Sequence, residues 1–131
     1  MFQREHGIAV ALMHWWAFEA KLHALDERLL FAIPNGGFRH PVVAAKLKAE
    51  GVRPGVSDYF LAVPNKTYNG LFLELKAEKG RVSPLQKAFA EAVTRTGYLH
   101  VVARGMDEAT KAIDSYLLNS GEDRVGGTDG E

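Results

Sequence analysis

Apolar residues near the start of the chain recur every three or four positions. Ile8, Leu12, Trp15, Trp16 and Leu22 share one stripe with Glu19 among them, which predicts a helix over residues 4–25. Pro34-Asn35-Gly36-Gly37 is a turn signal. Residues 42–50 read as a short helix with Val43, Ala44 and Leu47 inward, stopped by Gly51. The period then changes. Residues 56–63 and 70–77 are two β-rich runs, and the short polar link between them predicts an antiparallel hairpin. Ser83 as N-cap and Pro84 at the first position open another helix, which Gly97 ends. A third strand over 98–103 and a last helix over 107–118 complete the order α, α, β, β, α, β, α. A helix between the second and third strands implies that those two run parallel. The predicted class is therefore α/β, a mixed sheet flanked by helices.

Composition adds bounds. A chain of 131 residues, 47% apolar and 24% charged, suits one ordinary globular domain. We expect that domain over 1–118, followed by a flexible acidic tail over 119–131. No apolar run approaches the roughly 20 residues that span a bilayer. The absence of cysteine excludes disulfides, thiolate ligands and a cysteine nucleophile, and it fits a cytoplasmic setting. The net charge of zero hides an uneven distribution. Glu122, Asp123, Asp129 and Glu131 outweigh Arg124 in the tail, so the rest of the chain is basic. Arg39, Lys46, Lys48 and Arg53 form one basic stretch, and Lys76, Lys79, Arg81 and Lys87 another. If they flank a site, Lys46, Arg53 and Arg81 are candidate DNA contacts.

Strand alternation supplies the candidate chemistry. With Leu71, Leu73 and Leu75 on one face, Glu74 and Lys76 point together from the other. Alone, that pair is an ordinary exposed strand face. Asp58 changes its meaning. A hairpin centred on Lys66 sets residue 58 opposite 74, and one centred on Thr67 sets it opposite 76. Either register puts Asp58 on the face of Glu74 and Lys76. Two adjacent carboxylates repel unless a proton or cation lies between them. Oxygen-only ligands favour Mg²⁺ (or Mn²⁺), which can acidify a bound water and neutralise phosphate charge. Lys76 would orient the water or stabilise that charge. Glu5, in the first turns of helix one, is a candidate third acid, though Glu19 shares its stripe. Gln86 reads as a capping or packing amide.

Four runs carry a family resemblance: Ile33-Pro34-Asn35-Gly36-Gly37, Gly51-Val52-Arg53-Pro54-Gly55-Val56-Ser57-Asp58, Gly70-Leu71-Phe72-Leu73-Glu74-Leu75-Lys76, and Gly80-Arg81-Val82-Ser83-Pro84-Leu85-Gln86. Together they resemble a VRR-NUC nuclease domain of the PD-(D/E)XK superfamily, from about residue 5 to 118. Ser57 departs from the proline that the superfamily name leads one to expect. The resemblance implies a restriction-endonuclease-like core and metal-dependent DNA cleavage. It makes Asp58, Glu74, Glu5 and the Leu75 carbonyl metal ligands, Lys76 the catalytic lysine, and Gln86 its support. Asn35 and Arg39 would lie near the scissile phosphate or DNA backbone. Stand-alone phage and bacterial members resemble Holliday-junction resolvases, which implies a homodimer acting on branched DNA in a bacterial cytoplasm. The competing reading is an inactive nucleic-acid-binding or assembly module on the same fold. A serine or histidine hydrolase is disfavoured, since no G-x-S-x-G elbow is present and Ser83 is better read as a cap.

Overall fold

The computed structural model describes residues 2–34 and 40–119, the side chains of 2–5 apart. Helix α1 (Phe2–Leu22) leads through a 3₁₀ turn (Glu27–Leu29) into strand β1 (Leu30–Ala32). Helix α2 (Pro41–Ala49), strands β2 (Tyr59–Leu61) and β3 (Leu71–Leu75), helix α3 (Pro84–Arg95), strand β4 (Leu99–Ala103) and helix α4 (Met106–Leu118) follow. The sheet order is β1-β2-β3-β4. β1–β2 and β2–β3 are antiparallel, and β3–β4 is parallel across the α3 crossover. This is the mixed, helix-flanked sheet that the pattern predicts.

Each face of the sheet has its own cover. Leu30, Leu61, Leu71, Leu73 and Ala103 are fully buried against Leu12, Trp16 and Ala20 of α1 and Ala109, Ile113 and Tyr116 of α4. Each fully buried leucine there contributes about 1.5–3 kcal/mol. On the other face Phe72 stacks on Phe60 (centroids 4.5 Å apart) and meets Phe89 of α3 edge-on at 5.1 Å.

Several boundaries differ from the pattern. The residues between Leu25 and Pro34 read as no element, yet they form β1. Its three residues are too short to show a period, and pairing with β2 decides the conformation. β2 is shorter than the predicted 56–63, because the chain leaves the ladder before Tyr59. Helix α2 buries none of its residues; Leu47 is half-buried, whereas Val43 is 46% exposed and Ala44 is exposed as well. Among the described residues, the inward face expected for it is not covered. Asn119, placed at the head of the tail, instead ties back to the hairpin link. Its carbonyl accepts from the Lys66 N–H at 3.0 Å, and its amide donates to Thr67 Oγ1 at 3.1 Å. Residues 120–131 and the turn at 35–37 lie outside the described residues.

Three helices end in the same way. At α2 the Gly51 N–H donates to Lys48 O and the Val52 N–H to Leu47 O; at α3 Gly97 and Tyr98 repeat this onto Thr94 O and Val93 O. Both glycines have positive φ, 108° and 95°. This is the Schellman stop. α1 ends identically, with Ala24 bonding Lys21 O and Leu25 bonding Ala20 O, but the left-handed position is an alanine at φ 56°. That stop explains why the helix ends before residue 25. The conformation costs an L-residue about 1–2 kcal/mol, part of which glycine returns through its looser unfolded chain. Ala24→Gly is therefore expected to stabilise the protein by about 0.5–1 kcal/mol, read as a rise in Tm of a few degrees. An unchanged or lower Tm would contradict the assignment.

Candidate active site

The hairpin register decides between the two alternatives. Tyr59 pairs with Leu73, Phe60 with Phe72 and Leu61 with Leu71, so the ladder extended by one residue sets Asp58 opposite Glu74. Facing Cβ atoms in such a pair lie about 4.5–5.5 Å apart. Leu73 and Tyr59 are buried in the α1–α4 core, which leaves Asp58 and Glu74 on the α3 side.

Asp58 stands where β2 departs from the sheet. Its carbonyl accepts from the Ile33 N–H at 2.7 Å, which keeps the backbone turned toward β1. Its carboxylate turns the other way, and Oδ2 accepts from the Leu75 N–H at 2.7 Å. A side chain thus takes a backbone donor of β3 that a longer β2 would have used. Leu75 C=O leaves the strand on the same edge as its N–H. It therefore faces the β2 edge, where Asp58 lies. The Asp58 charge is also felt nearby, since burial and this carboxylate push the Tyr59 phenol up.

Glu74 is only 3% exposed. Its Oε2 accepts from Gln86 Nε2 at 2.8 Å. Gln86 is simultaneously the third residue of a capping box. Its Oε1 accepts from the Ser83 N–H at 2.9 Å, while Ser83 Oγ accepts from the Gln86 N–H at 3.1 Å. The amide is oriented at both ends, so the N-terminus of α3 is wired to the buried acid of β3. The capping role expected of Gln86 and its proximity to the site are one arrangement.

Two backbone contacts fix the flanks. Gly55 sits at φ 87°, and a Cβ there would lie 2.7 Å from Leu85 O. The Pro54-Gly55 loop consequently rests on the first turn of α3, just ahead of Asp58. Lys76 donates its N–H to Ala103 O at 2.9 Å, and its half-buried side chain runs beside Gly80. The turn that follows is clamped by Arg104, whose guanidinium Nη1 donates to Ala77 O at 3.0 Å and Gly80 O at 2.6 Å. The pattern gave no hint of Arg104. Its partners are main-chain carbonyls, which leave no trace in side-chain periodicity.

Asp58, Glu74 and Gln86 are thus brought together around the place where β2 leaves the sheet, with the Leu75 backbone on the adjoining strand edge and Lys76 on the face of Glu74 by alternation. Only the comparison with known proteins says what such a cluster belongs to. The family model for the VRR-NUC domain matches residues 3–107. The chain belongs to the VRR-NUC family. A solved structure described as a VRR_NUC domain protein superposes with a TM-score of 0.72 at 24% identity, covering 88% of this chain and 89% of that one. At that identity the likeness speaks for the fold. Comparison with curated proteins gives no match. Membership of the VRR-NUC family implies a nuclease-type function.

The remaining expected site residues of the VRR-NUC domain lie in other elements or outside the described residues. Glu5 lies in α1, with its side chain outside the described residues, as Asn35 and Arg39 are entirely. Lys46 on α2, Arg53 before the Pro54-Gly55 loop, and Arg81 before α3 are exposed. Glu19, the alternative acid, lies on α1 near His23 and Asp114, in the layer across the sheet from Glu74. Ser57 is fully buried and, among the described residues, its Oγ has no hydrogen-bond partner, so it is placed as packing rather than as a nucleophile. Among the described residues, no helix is long and apolar enough to cross a membrane.

The Gln86 bridge is open to a direct check. Gln86→Ala removes a donor to Glu74 and half the capping box, an expected loss of about 1–2 kcal/mol. Gln86→Glu keeps the box but sets a second carboxylate against Glu74. It is expected to be the less stable variant at pH 7, recovering on acidification as the pair takes up a proton. Melting curves between pH 5 and 8 report both, and equal behaviour of the two variants throughout would contradict the bridge.

Proposed function

We propose that this VRR-NUC domain is a metal-dependent endonuclease that hydrolyses DNA phosphodiester bonds. The observation that carries the reading is the buried Glu74 carboxylate, oriented by Gln86, next along β3 to the Leu75 N–H that the Asp58 carboxylate accepts from. The donors fit Mg²⁺ (or Mn²⁺). Two carboxylates and the Leu75 carbonyl make an oxygen-only set, the chemistry of a hard cation that keeps several waters. When bound, such an ion would acidify water and neutralise charge on the phosphate oxygens.

The chain's own residues supply the rest. Asp58 and Glu74 would hold the cation, Glu5 being a further candidate ligand from α1. Gln86 keeps the Glu74 carboxylate aimed, and the Asp58–Leu75 hydrogen bond keeps the strand edge in place. The Lys76 ammonium would orient the attacking water and stabilise the developing charge. A bond forms between the water oxygen and phosphorus as the water gives up a proton to solvent, the bond from phosphorus to the leaving sugar oxygen breaks, and that oxygen takes up a proton from solvent. Lys46, Arg53 and Arg81, together with Asn35 and Arg39, are proposed to contact the DNA backbone.

A homodimer acting on branched DNA such as a four-way junction is proposed on separate grounds. α2 carries exposed Val42 (70%) and Val43 (46%), and none of its residues is fully buried among the described residues, which offers an apolar face to a second copy. The setting proposed for it is the cytoplasm of a bacterial cell, infected or not.

Purified protein incubated with plasmid, linear duplex and a four-way junction, with Mg²⁺, Mn²⁺ or EDTA, tests the reading. Cleavage is expected with either metal and not with EDTA, and Lys76→Ala and Asp58→Ala should lose at least about 100-fold while keeping a folded circular dichroism spectrum. Cleavage that survives both EDTA and Lys76→Ala would overturn the mechanism. Binding without cleavage on every substrate would favour an inactive binding module. Sedimentation as a monomer at high concentration would remove the dimer.

A further inference from the structure

Across the sheet from the proposed nuclease site lies a second cluster of metal-ligating side chains. Glu19 and His23, one turn apart on α1, meet Asp114 of α4, and one ligand atom from each lies within 4.8 Å of the other two. His23 Nε2 is 3.4 Å from Glu19 Oε2. We propose that Glu19, His23 and Asp114 form a second cation site, selective for Zn²⁺ or a similar transition-metal ion, that clips α1 to α4.

The seam around the cluster is apolar. Trp16 and Ala20 of α1 and Ile113 of α4 are buried beside it. Two carboxylates from different helices confront one another at the edge of this seam. Among the described residues, Asp114 and His23 are the groups that act on Glu19, and neither a lysine nor an arginine is among them. At neutral pH such a pair repels unless a proton or a cation lies between its members.

The third ligand points to the cation. An imidazole beside two carboxylates is a nitrogen-containing set that suits Zn²⁺, whereas the Asp58–Glu74 set is oxygen-only. Three protein ligands leave a tetrahedral ion one open position. Partial exposure of the His23 and Glu19 side chains (29% and 16%) lets water fill it. Ligand atoms around a tetrahedral Zn²⁺ lie about 3.5 Å apart, so the present spacing needs only a small closure by side-chain rotation. Glu19 and His23 are spaced i,i+4 on one helix face, and Asp114 comes from the neighbouring helix. An ion held by all three would tie together the two helices that cover the leucine face of the sheet. The two proposed sites are thus separated by the sheet and distinguished by ligand chemistry, and this one does not depend on the nuclease reading.

Thermal unfolding of chelator-stripped protein, with and without Zn²⁺, tests the proposal in wild type, His23→Gln, Asp114→Asn and Glu74→Gln. Zn²⁺ about 100-fold above its Kd should raise the Tm of wild type and of Glu74→Gln by about 5–10 °C. His23→Gln and Asp114→Asn should lose most of that shift. Co²⁺ should give visible tetrahedral absorption bands in the first two proteins and not in the last two. No Zn²⁺ effect on wild type would overturn the proposal. So would a shift retained in both cluster variants, or one lost only in Glu74→Gln, which would place the ion at the other site. A Tm raised by Asp114→Asn, in a wild type that ignores Zn²⁺, would identify a proton-sharing pair instead.

Discussion

Strand β3 must bury Leu71 and Leu73 on the layer formed by α1 and α4, and the opposite side of the sheet is set by that requirement. Both leucines are fully buried. Because strand side chains alternate, Phe72, Glu74 and Lys76 can only project toward α3. A slip of one residue would drive Glu74 and Lys76 into the leucine core and expose the leucines. Unpaired charge in such an interior costs several kcal/mol, on top of the lost burial. Tyr59 and Leu61 apply the same constraint to β2. Two independent apolar patterns, locked by one antiparallel register, thus hold Asp58 and Glu74 face to face.

The site then draws on pieces that also have structural duties. Gln86 closes the N-terminal cap of α3 and bonds Glu74 with the other end of the same amide. Asp58 completes the β3 edge through the Leu75 N–H. Gly55 lets its loop press on the backbone of α3, and Arg104 gathers the carbonyls of the turn beyond Lys76. The proposed catalytic geometry is therefore carried by backbone contacts and caps rather than by mobile loops. This arrangement favours preorganisation, on which electrostatic stabilisation of phosphoryl transfer depends.

Much of this was legible in the amino-acid pattern, for reasons that differ by residue. Leu71, Leu73 and Leu75 announce the face of Glu74 and Lys76, because period-two alternation is a local property. Ser83 with Pro84, and Gly51 and Gly97, announce helix ends because capping chemistry is local as well. The choice between two hairpin registers was not local; it required the packing of β2 against β3. β1 was invisible because three residues show no period, and its conformation comes from pairing with β2. The true end of α1 was hidden because an alanine occupies a position that glycine usually takes. α2 misled for the converse reason: its apolar positions are real, but among the described residues none of them is fully buried. The Glu19–His23–Asp114 cluster joins residues of the first and last helices, a contact that only the fold creates.

The central claim is that the facing acids Asp58 and Glu74 are held together for a hard divalent cation. Direct measurement of Mn²⁺ binding, by loss of the free-ion electron paramagnetic resonance signal in the absence of DNA, tests it without relying on catalysis. Wild type is expected to take up Mn²⁺, and Asp58→Asn and Glu74→Gln, which preserve shape and keep one acceptor oxygen each, should each weaken binding at least about tenfold. Mn²⁺ binding that is equally strong in both variants would contradict the account.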